Sequence, residues 1–480
     1  MPDFSKFDLS GREPRPVQQA TLKALNDAWT TSDTFALVLP VGSGKSAIGR
    51  AIQVACGADV ITPSNILIDQ YANEYRTVNV LKGKSHYRCR SGLDCRTWQE
   101  CGQEPCEDCP YQAAKAKTIE GLPTFYNPMS MYFNFVANRI KGNKVLVVDE
   151  AHQLASMILM LTSKRLKRSE YKFNKDCVNE IYLVQWLKDQ QSRLDRLASM
   201  YHKKNDVEKL AKAKDEIESL GMIRQGLEED GQNFCMWFSK DQKDSYLNIK
   251  PLFPPRFLMN KLIGGKKLIL MSGTLFDHDI RNIIGDQTYV KIEQDSPIPV
   301  ENRRIVYKPA PFKINYQTDP RQLVEYIETF LPTGPENTLI HSTYSLSKKI
   351  AHLFKRKLIF NTNEDKDERL AEFKQEGGIF LGAGCAEGLD LKGDLCRVNI
   401  IPKLSFPDLN DPAVIKRRAL TDGSLWYSLE TLKTLIQAAG RSTRSAEDWS
   451  TIFVLDPNFK RLVQGNRQHL PKSFLESIVF

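Results

Sequence analysis

The stretch TFALVLPVGSGKSAIGRAIQVA, residues 34–55, leaves this chain little freedom. A short apolar run meets a turn holding Gly42 and Gly44, and a helical pattern follows. Strand, glycine turn and helix in that order let backbone amides turn inward and ring a phosphate. In the loop Gly42, Ser43, Gly44, Lys45, Ser46, the lysine is placed to reach β and γ phosphates and the Ser46 hydroxyl to ligate Mg²⁺. Leu39 stands where the general pattern has its first glycine. A plain Gly-Ser turn ahead of a helix would look similar, so a second feature has to decide.

KVLVVDEAHQL, residues 144–154, is that feature. A continuous apolar run ending in acids reads as a buried parallel strand. Of Asp149 and Glu150, one carboxylate can hold Mg²⁺ and the other can orient or deprotonate an attacking water. A phosphate loop followed by a strand-terminal Asp-Glu pair predicts ATP hydrolysis. QAAGRSTR, residues 437–444, supplies a third part. As a helix it would carry Gln437, Arg441 and Arg444 on one face, with two guanidiniums able to stabilise charge developing on a γ-phosphate.

Strands and helices alternate along both halves, which implies parallel sheets with helices on both faces. Strand-like runs recur at TLIHSTY (338–344), GIFLGAG (378–384), RVNIIP (397–402) and STIFVLD (450–456). Between the halves the period changes. Leu183, Leu187, Leu194, Leu197 and Tyr201 keep one helix face; Val207, Leu210, Ile217 and Leu220 keep another after the polar break HKKND. That predicts an antiparallel helical hairpin, preceded by KRLKR (164–168) as a solvated basic run. The expected fold is α/β. Residues 1–80, 110–154 and 251–290 form a first unit carrying insertions at 81–109 and 155–250, and residues 291–480 form a second.

Hydrophobic residues at 41% and charged residues at 26% are the balance of a soluble globular chain. No apolar run is long enough for a membrane span, and the first residues lack the order of a secretory signal. A cytoplasmic protein without membrane contact is expected. A net charge of +9 suits a polyanionic partner, but scattered solvated lysines would give the same total. Five of the ten cysteines, Cys89, Cys95, Cys101, Cys106 and Cys109, fall between residues 86 and 111. In a reducing compartment such a cluster points to metal rather than disulfides. Zinc and iron–sulfur both accept four thiolates, and spacing does not separate them.

LPVGSGKS, VVDEAH, MSGTL, GAGCAEGLDLKG and QAAGRSTR, in that order, resemble the motifs of DEAH-type superfamily 2 helicases. The cysteine cluster ahead of DEAH, the PTFYNP segment (123–128) and the later helical insertion resemble the iron–sulfur XPD/DinG group. The likeness runs from RPVQ (15–18) to FVLDPNF (453–459). It implies two RecA-like domains with ATP between them, a small Fe–S insertion and a helical Arch-type insertion. It further implies that Arg15 and Gln18 contact adenine, that Ser272, Gly273 and Thr274 couple hydrolysis to strand movement, and that Glu387, Gly388 and Asp390 sense nucleotide and DNA. Gln437, Arg441 and Arg444 would complete the ATP site. Four of the five clustered cysteines would hold a [4Fe–4S] cluster, with Cys101 the expected spare and zinc the alternative metal. Cys56, Cys177, Cys235, Cys385 and Cys396 are expected to be ordinary buried residues. Single-stranded DNA and duplex junctions are the implied partners of a monomer, with Lys82, Lys84, His86, Tyr87, Arg88, Arg90 and Trp98 near the cluster as candidate contacts, although the aromatic residues equally read as packing of the small insertion and Trp98 reads as its core. The group translocates from 5′ to 3′. A DNA-stimulated ATPase clamp or a nuclease-associated protein is the alternative.

Overall fold

Runs that are apolar without interruption become strands buried on both faces. The computed structural model describes residues 2, 4, 13–63, 65–75, 78–88, 108–127, 129–131, 142–362, 364–385, 391, 393–443 and 445–480. Among these residues the first ten strands are β1 (Thr34–Val38), β2 (Asp59–Ile61), β3 (Asn79–Leu81), β4 (Thr124–Tyr126), β5 (Val145–Asp149), β6 (Lys164–Lys167), β7 (Phe234–Lys240), β8 (Ser245–Pro251), β9 (Lys267–Ser272) and β10 (Val290–Glu293). Seven form one sheet in the order β10-β1-β9-β5-β2-β4-β3. The pairs β9–β5, β5–β2, β2–β4 and β4–β3 are parallel. All five residues of β1 are buried, as are Leu146, Val147 and Val148 of β5. Neighbouring parallel strands therefore end at one edge, with Asp149 paired to Met271 at the ends of β5 and β9.

Two compact units make up the chain. The first comprises Met1–Leu37, Lys45–Ile292 and Leu409–Arg417, the second Val38–Gly44, Glu293–Asp408 and Arg418–Phe480. The short piece 409–417 is held in the first unit by a Lys250–Asp411 ion pair at 2.6 Å and by Lys416 Nζ donating to the Phe234 carbonyl at 2.7 Å.

The expected helical hairpin is formed by helices Glu180–Lys203 and Val207–Asp230. The side chain of Asn179 caps the first by accepting from the Tyr182 amide, and that of Asp206 caps the second by accepting from the Lys209 amide. The surrounding region is not wholly helical, which corrects the sequence reading. β6, β8 and β7 form an antiparallel sheet of three strands. KRLK, expected as a solvated run, is its edge strand because Leu166 alone points inward, packing with Leu247, Ile249 and Phe234 against Leu183, Leu187, Leu220 and Ile223. Strand alternation places Arg165 and Lys167 on the opposite face, so the local charge hid the strand.

In the second unit the strands are β11 (Arg303–Tyr307), β12 (Thr338–Ser342), β13 (Ile359–Phe360), β14 (Ile379–Ala383), β15 (Val398–Ile401), β16 (Ser450–Val454) and β17 (Ile478–Val479). They pair in the order β13-β14-β12-β15-β16-β11-β17, parallel throughout. Ile340, Leu381 and Ile400 pack toward Leu323 and Ile327, whereas Leu339 and Phe380 pack toward Phe373 and Cys396. Successive residues feed two cores, which is why these strands read as unbroken apolar runs.

Candidate nucleotide and metal site

The glycine loop adopts the backbone its composition foretells. Gly42 and Gly44 have φ of 84° and 74°, conformations that a side chain would strain. Ser43, fully buried, ties the turn by donating its hydroxyl to the Pro40 carbonyl at 2.7 Å. Helix Lys45–Cys56 begins at the next residue, so its free N-terminal amides and dipole follow directly on the loop.

In the first unit, the side chains of this helix meet those of β5 and β9. Lys45 Nζ lies 3.8 Å from Glu150 Oε1. Asp149 is buried, and its Oδ2 accepts from the Tyr71 hydroxyl at 3.1 Å. Burial, then the neighbouring Glu150 charge, pushes the Asp149 carboxyl up to about 6, with Lys45 opposing the shift. Such a carboxylate gains most from a cation placed beside it. Glu150 itself has φ 47° and ψ 48°, a left-handed conformation that a non-glycine residue adopts at a cost of about 1–3 kcal/mol. Strain of that kind collects where a side chain must be aimed.

Behind Glu150 stands a buried polar link. His152 Nδ1 and Ser272 Oγ are 2.7 Å apart, and the Ser272 hydroxyl reaches Glu150 Oε2 at 3.4 Å. Ser272 Oγ also accepts from the Thr274 amide at 3.1 Å. The DEAH and SGT segments are thereby joined through side chains. Arg15 and Gln18 sit at the start of helix Pro16–Ala28, where the Arg15 amide donates to Gln18 Oε1 at 2.8 Å.

Gln437 lies in helix Gly423–Ala439 of the second unit. That helix stops at Ala439, with Gly440 as its cap, so Arg441 lies beyond it. The single continuous helix face expected for this motif is therefore corrected: a glycine with no side chain to pack ends the helix within the motif. Nearby, burial and then the Arg441 charge push His341 down to about 4, which keeps its ring neutral. Arg444 lies outside the described residues, as do Glu387, Gly388 and Asp390.

Of the cysteine cluster, Cys89, Cys95, Cys101 and Cys106 also lie outside the described residues. Cys109 is buried at the N-cap of helix Pro110–Ile119, where the positive end of the helix suits an anionic metal–thiolate group. It thus fits the donor set of a metal. Among the described flanking residues, the Tyr87 hydroxyl bridges the Val80 carbonyl and the Lys82 amide, and its ring packs edge-on to Tyr111 at 5.5 Å. Tyr87 is therefore a packing residue rather than a free stacking platform. His86 Nε2 lies 3.0 Å from Asn65 Nδ2, and Lys82 is paired with Asp69. Arg90 and Trp98 fall outside the described residues. Of the remaining thiols, Cys177, Cys385 and Cys396 are buried as expected, whereas Cys56 and Cys235 are only half-buried. Among the described residues no helix is long and apolar enough to cross a membrane.

Sequence reasoning missed Tyr71 and gave no role to His152. Tyr71 falls on the apolar face of helix Asn65–Glu74 beside Ile68, and such an aromatic reads as core. Only the partner of its hydroxyl distinguishes it.

A family described as Helicase C-terminal domain matches residues 330–477. A regulator of telomere elongation helicase 1 homolog from Drosophila ananassae is 32% identical over 158 residues, covering 28% of this chain and 16% of the relative. The Aedes aegypti homolog of the same name is 27% identical over 276 residues, 47% of this chain and 26% of its own length. The chain thus aligns to a minor part of each of these relatives. Among solved structures, one titled XPD_Helicase superposes with a TM-score of 0.67 at 14% identity, covering 97% of this chain and 99% of that one. The S. tokodaii Xpd4 structure gives 0.57 at 13% identity, covering 94% and 97%. At these identities the likeness establishes the fold.

Proposed function

We propose that this chain, an XPD-like superfamily 2 helicase by fold and by its helicase C-terminal domain, hydrolyses ATP to move along single-stranded DNA and part duplex. The observation that carries the reading is the convergence of Lys45, Asp149 and Glu150 beside the glycine loop's helix, with Lys45 and Glu150 only 3.8 Å apart. Lys45 exchanges its Glu150 partner for the β and γ phosphates when nucleotide arrives. Ser46 and Asp149 hold Mg²⁺, which when bound neutralises phosphate charge. Freed from the lysine, Glu150 orients a water in line with the γ-phosphorus and takes its proton. The bond to the β–γ bridging oxygen breaks, and ADP and phosphate are released. Gln437, Arg441 and Arg444 act on charge developing at the γ-phosphate. The His152–Ser272 contact, with Gly273 and Thr274 following, carries the change at Glu150 toward the DNA-facing parts. Arg15 and Gln18 recognise adenine, and Glu387, Gly388 and Asp390 sense the nucleotide.

Four of Cys89, Cys95, Cys101, Cys106 and Cys109 hold a [4Fe–4S] cluster, which when bound stiffens the insertion that meets the duplex junction. The buried N-cap position of Cys109 supports this assignment. Purified protein is then brown, with about four iron and four sulfide per chain; stoichiometric zinc without colour would replace the cluster by the alternative metal. Movement runs from 5′ to 3′.

The test compares wild type with Lys45→Ala. DNA-stimulated ATP hydrolysis is measured beside unwinding of duplexes carrying 5′ or 3′ overhangs. The variant should lose hydrolysis and retain single-strand binding, and wild type should open the 5′-overhang substrate. Retained turnover in the variant refutes the nucleotide site. Hydrolysis without strand separation refutes the helicase reading in favour of a clamp.

A further inference from the structure

Helix Asn65–Glu74 carries no residue of the motifs described above, yet one of its side chains reaches into the nucleotide site. Tyr71 is 2% exposed, and its ring is held 4.5 Å from Phe125 and 6.2 Å from Tyr75. Its hydroxyl donates to Asp149 Oδ2 at 3.1 Å. Tyr71 therefore fixes one oxygen of Asp149, a group assigned with Ser46 to magnesium. Gly49, one turn along the same helix from Lys45, lies beside it: a Cβ there would be in ordinary contact with the Tyr71 hydroxyl at 3.5 Å and would crowd only Met271 Cε at 2.9 Å.

We propose that Tyr71 is a positioning residue that orients Asp149 for the divalent cation. The inference rests on the nucleotide-site reading above. The tyrosine's proton is committed to Oδ2 and the Glu150 amide donates to Oδ1 at 3.0 Å, so the carboxylate is held in one orientation with its remaining lone pairs available to a cation. Phenylalanine at this position would keep the packing of the ring and remove the Oδ2 constraint. A core role for Tyr71 predicts that the hydroxyl is dispensable for metal. A positioning role predicts that it is not.

The test is Tyr71→Phe, with Mn²⁺ as the spectroscopic probe. Mn²⁺ binding to the protein–ADP complex is measured by electron paramagnetic resonance, and ADP binding without metal by calorimetry. Mn²⁺ affinity should fall by about ten- to a hundredfold, the size expected for one hydrogen bond to a charged group. The Mg²⁺ concentration giving half-maximal hydrolysis should rise by a similar factor, whereas metal-free ADP affinity should stay near wild type. In the double variant Asp149→Asn/Tyr71→Phe the losses of Mn²⁺ affinity should be less than additive, because Tyr71 acts through Asp149. Unchanged Mn²⁺ affinity in Tyr71→Phe, or full additivity in the double variant, overturns the proposal while leaving the nucleotide site intact. Wild-type protein that binds no Mn²⁺ with ADP overturns the site reading itself, and the proposal with it.

Discussion

The seven-stranded sheet of the first unit and the three-stranded sheet inserted between β5 and β9 handle charge in opposite ways. In the inner strands β1, β9, β5 and β2 of the large sheet, side chains on both faces are mostly apolar and the acidic groups stand at the strand ends, as Asp149 does after Leu146, Val147 and Val148. In the small sheet, charge lies along the strands themselves, and Leu166 is the single buried residue of β6. The first arrangement gathers polar groups at one edge and keeps that edge partly dehydrated. The second makes a platform with one greasy face, on which a helical hairpin rests. If this contrast is functional, changes at the edge should alter chemistry with little effect on stability, and changes in the insertion should do the reverse.

The largest expected effect is at the edge. Asp149→Asn should lower ATP turnover by about 10²- to 10³-fold, the scale of removing one charge-stabilising group from a reacting centre. Stability should not fall with it. The folded-state carboxyl is raised to about 6 from an ordinary value of 3.8, so the folded protein holds a proton that the unfolded chain releases between those values. Without metal, this group makes the protein less stable as pH rises through that window, the sign opposite to a paired carboxylate. Thermal melts at pH 5 and pH 7 should show that slope in wild type and its loss in the variant. A melting temperature that drops sharply in Asp149→Asn would mean that the edge is structural after all.

The contrast also explains what could be read without a structure. β1, β5, β9, β12, β14, β15 and β16 are legible because two-sided burial leaves an apolar run that no surface segment imitates. The glycine loop and the acid pair stand out because the chemistry proposed for them needs those residue types in that order. β3 and β4 have only three residues each, too few to show a period. β6 was hidden by Lys164, Arg165 and Lys167, and β7 by an alternation that includes Trp237 and Lys240. Tyr71 was invisible for a different reason: its ring makes the core and its hydroxyl makes the contact, and sequence records only the type of residue. Gly440 could have been read as a helix end, since glycine favours that place, but the arginines of the motif drew the helix onward.

In the insertion, Leu247→Ala should cost about 2–5 kcal/mol, the range for emptying a packed core position. Leu247 is fully buried and shares a cluster with Leu166, Phe234, Leu183 and Leu220. Chemical denaturation should show an early transition for this region, whereas binding of ADP with Mn²⁺ stays intact. Simultaneous loss of nucleotide binding would break the separation drawn here. A smaller effect is expected from overpacking. A Cβ at Gly226 would lie 2.7 Å from Cζ of the buried Phe234 ring. Gly226→Ala should therefore destabilise by about 1–2 kcal/mol even though alanine is the better helix former by about 1 kcal/mol. Net stabilisation would show that Phe234 is free to move and that the hairpin sits loosely on its sheet.

The smallest effect tests whether the hairpin is set by its own turn rather than by the sheet beneath it. Helix Glu180–Lys203 ends with Asn205 at φ 56°, the left-handed position after the cap. The Asn205 amide donates to the His202 carbonyl at 3.1 Å and the Asp206 amide to the Tyr201 carbonyl at 3.0 Å, the paired bonds that close a helix end at such a residue. Asp206 then caps the next helix, so termination and restart share two residues. Asparagine tolerates this backbone, glycine tolerates it better, and a β-carbon without a polar group does neither. Asn205→Gly should be neutral or slightly stabilising, and Asn205→Ala should cost about 1 kcal/mol. Neither should change ATP turnover. The two melting temperatures, compared with each other rather than with wild type, read the turn directly because both substitutions remove the same amide. If alanine is as good as glycine, tertiary packing holds the hairpin and its polar break is incidental. If glycine wins, the break that marked the turn in the sequence is also what makes it.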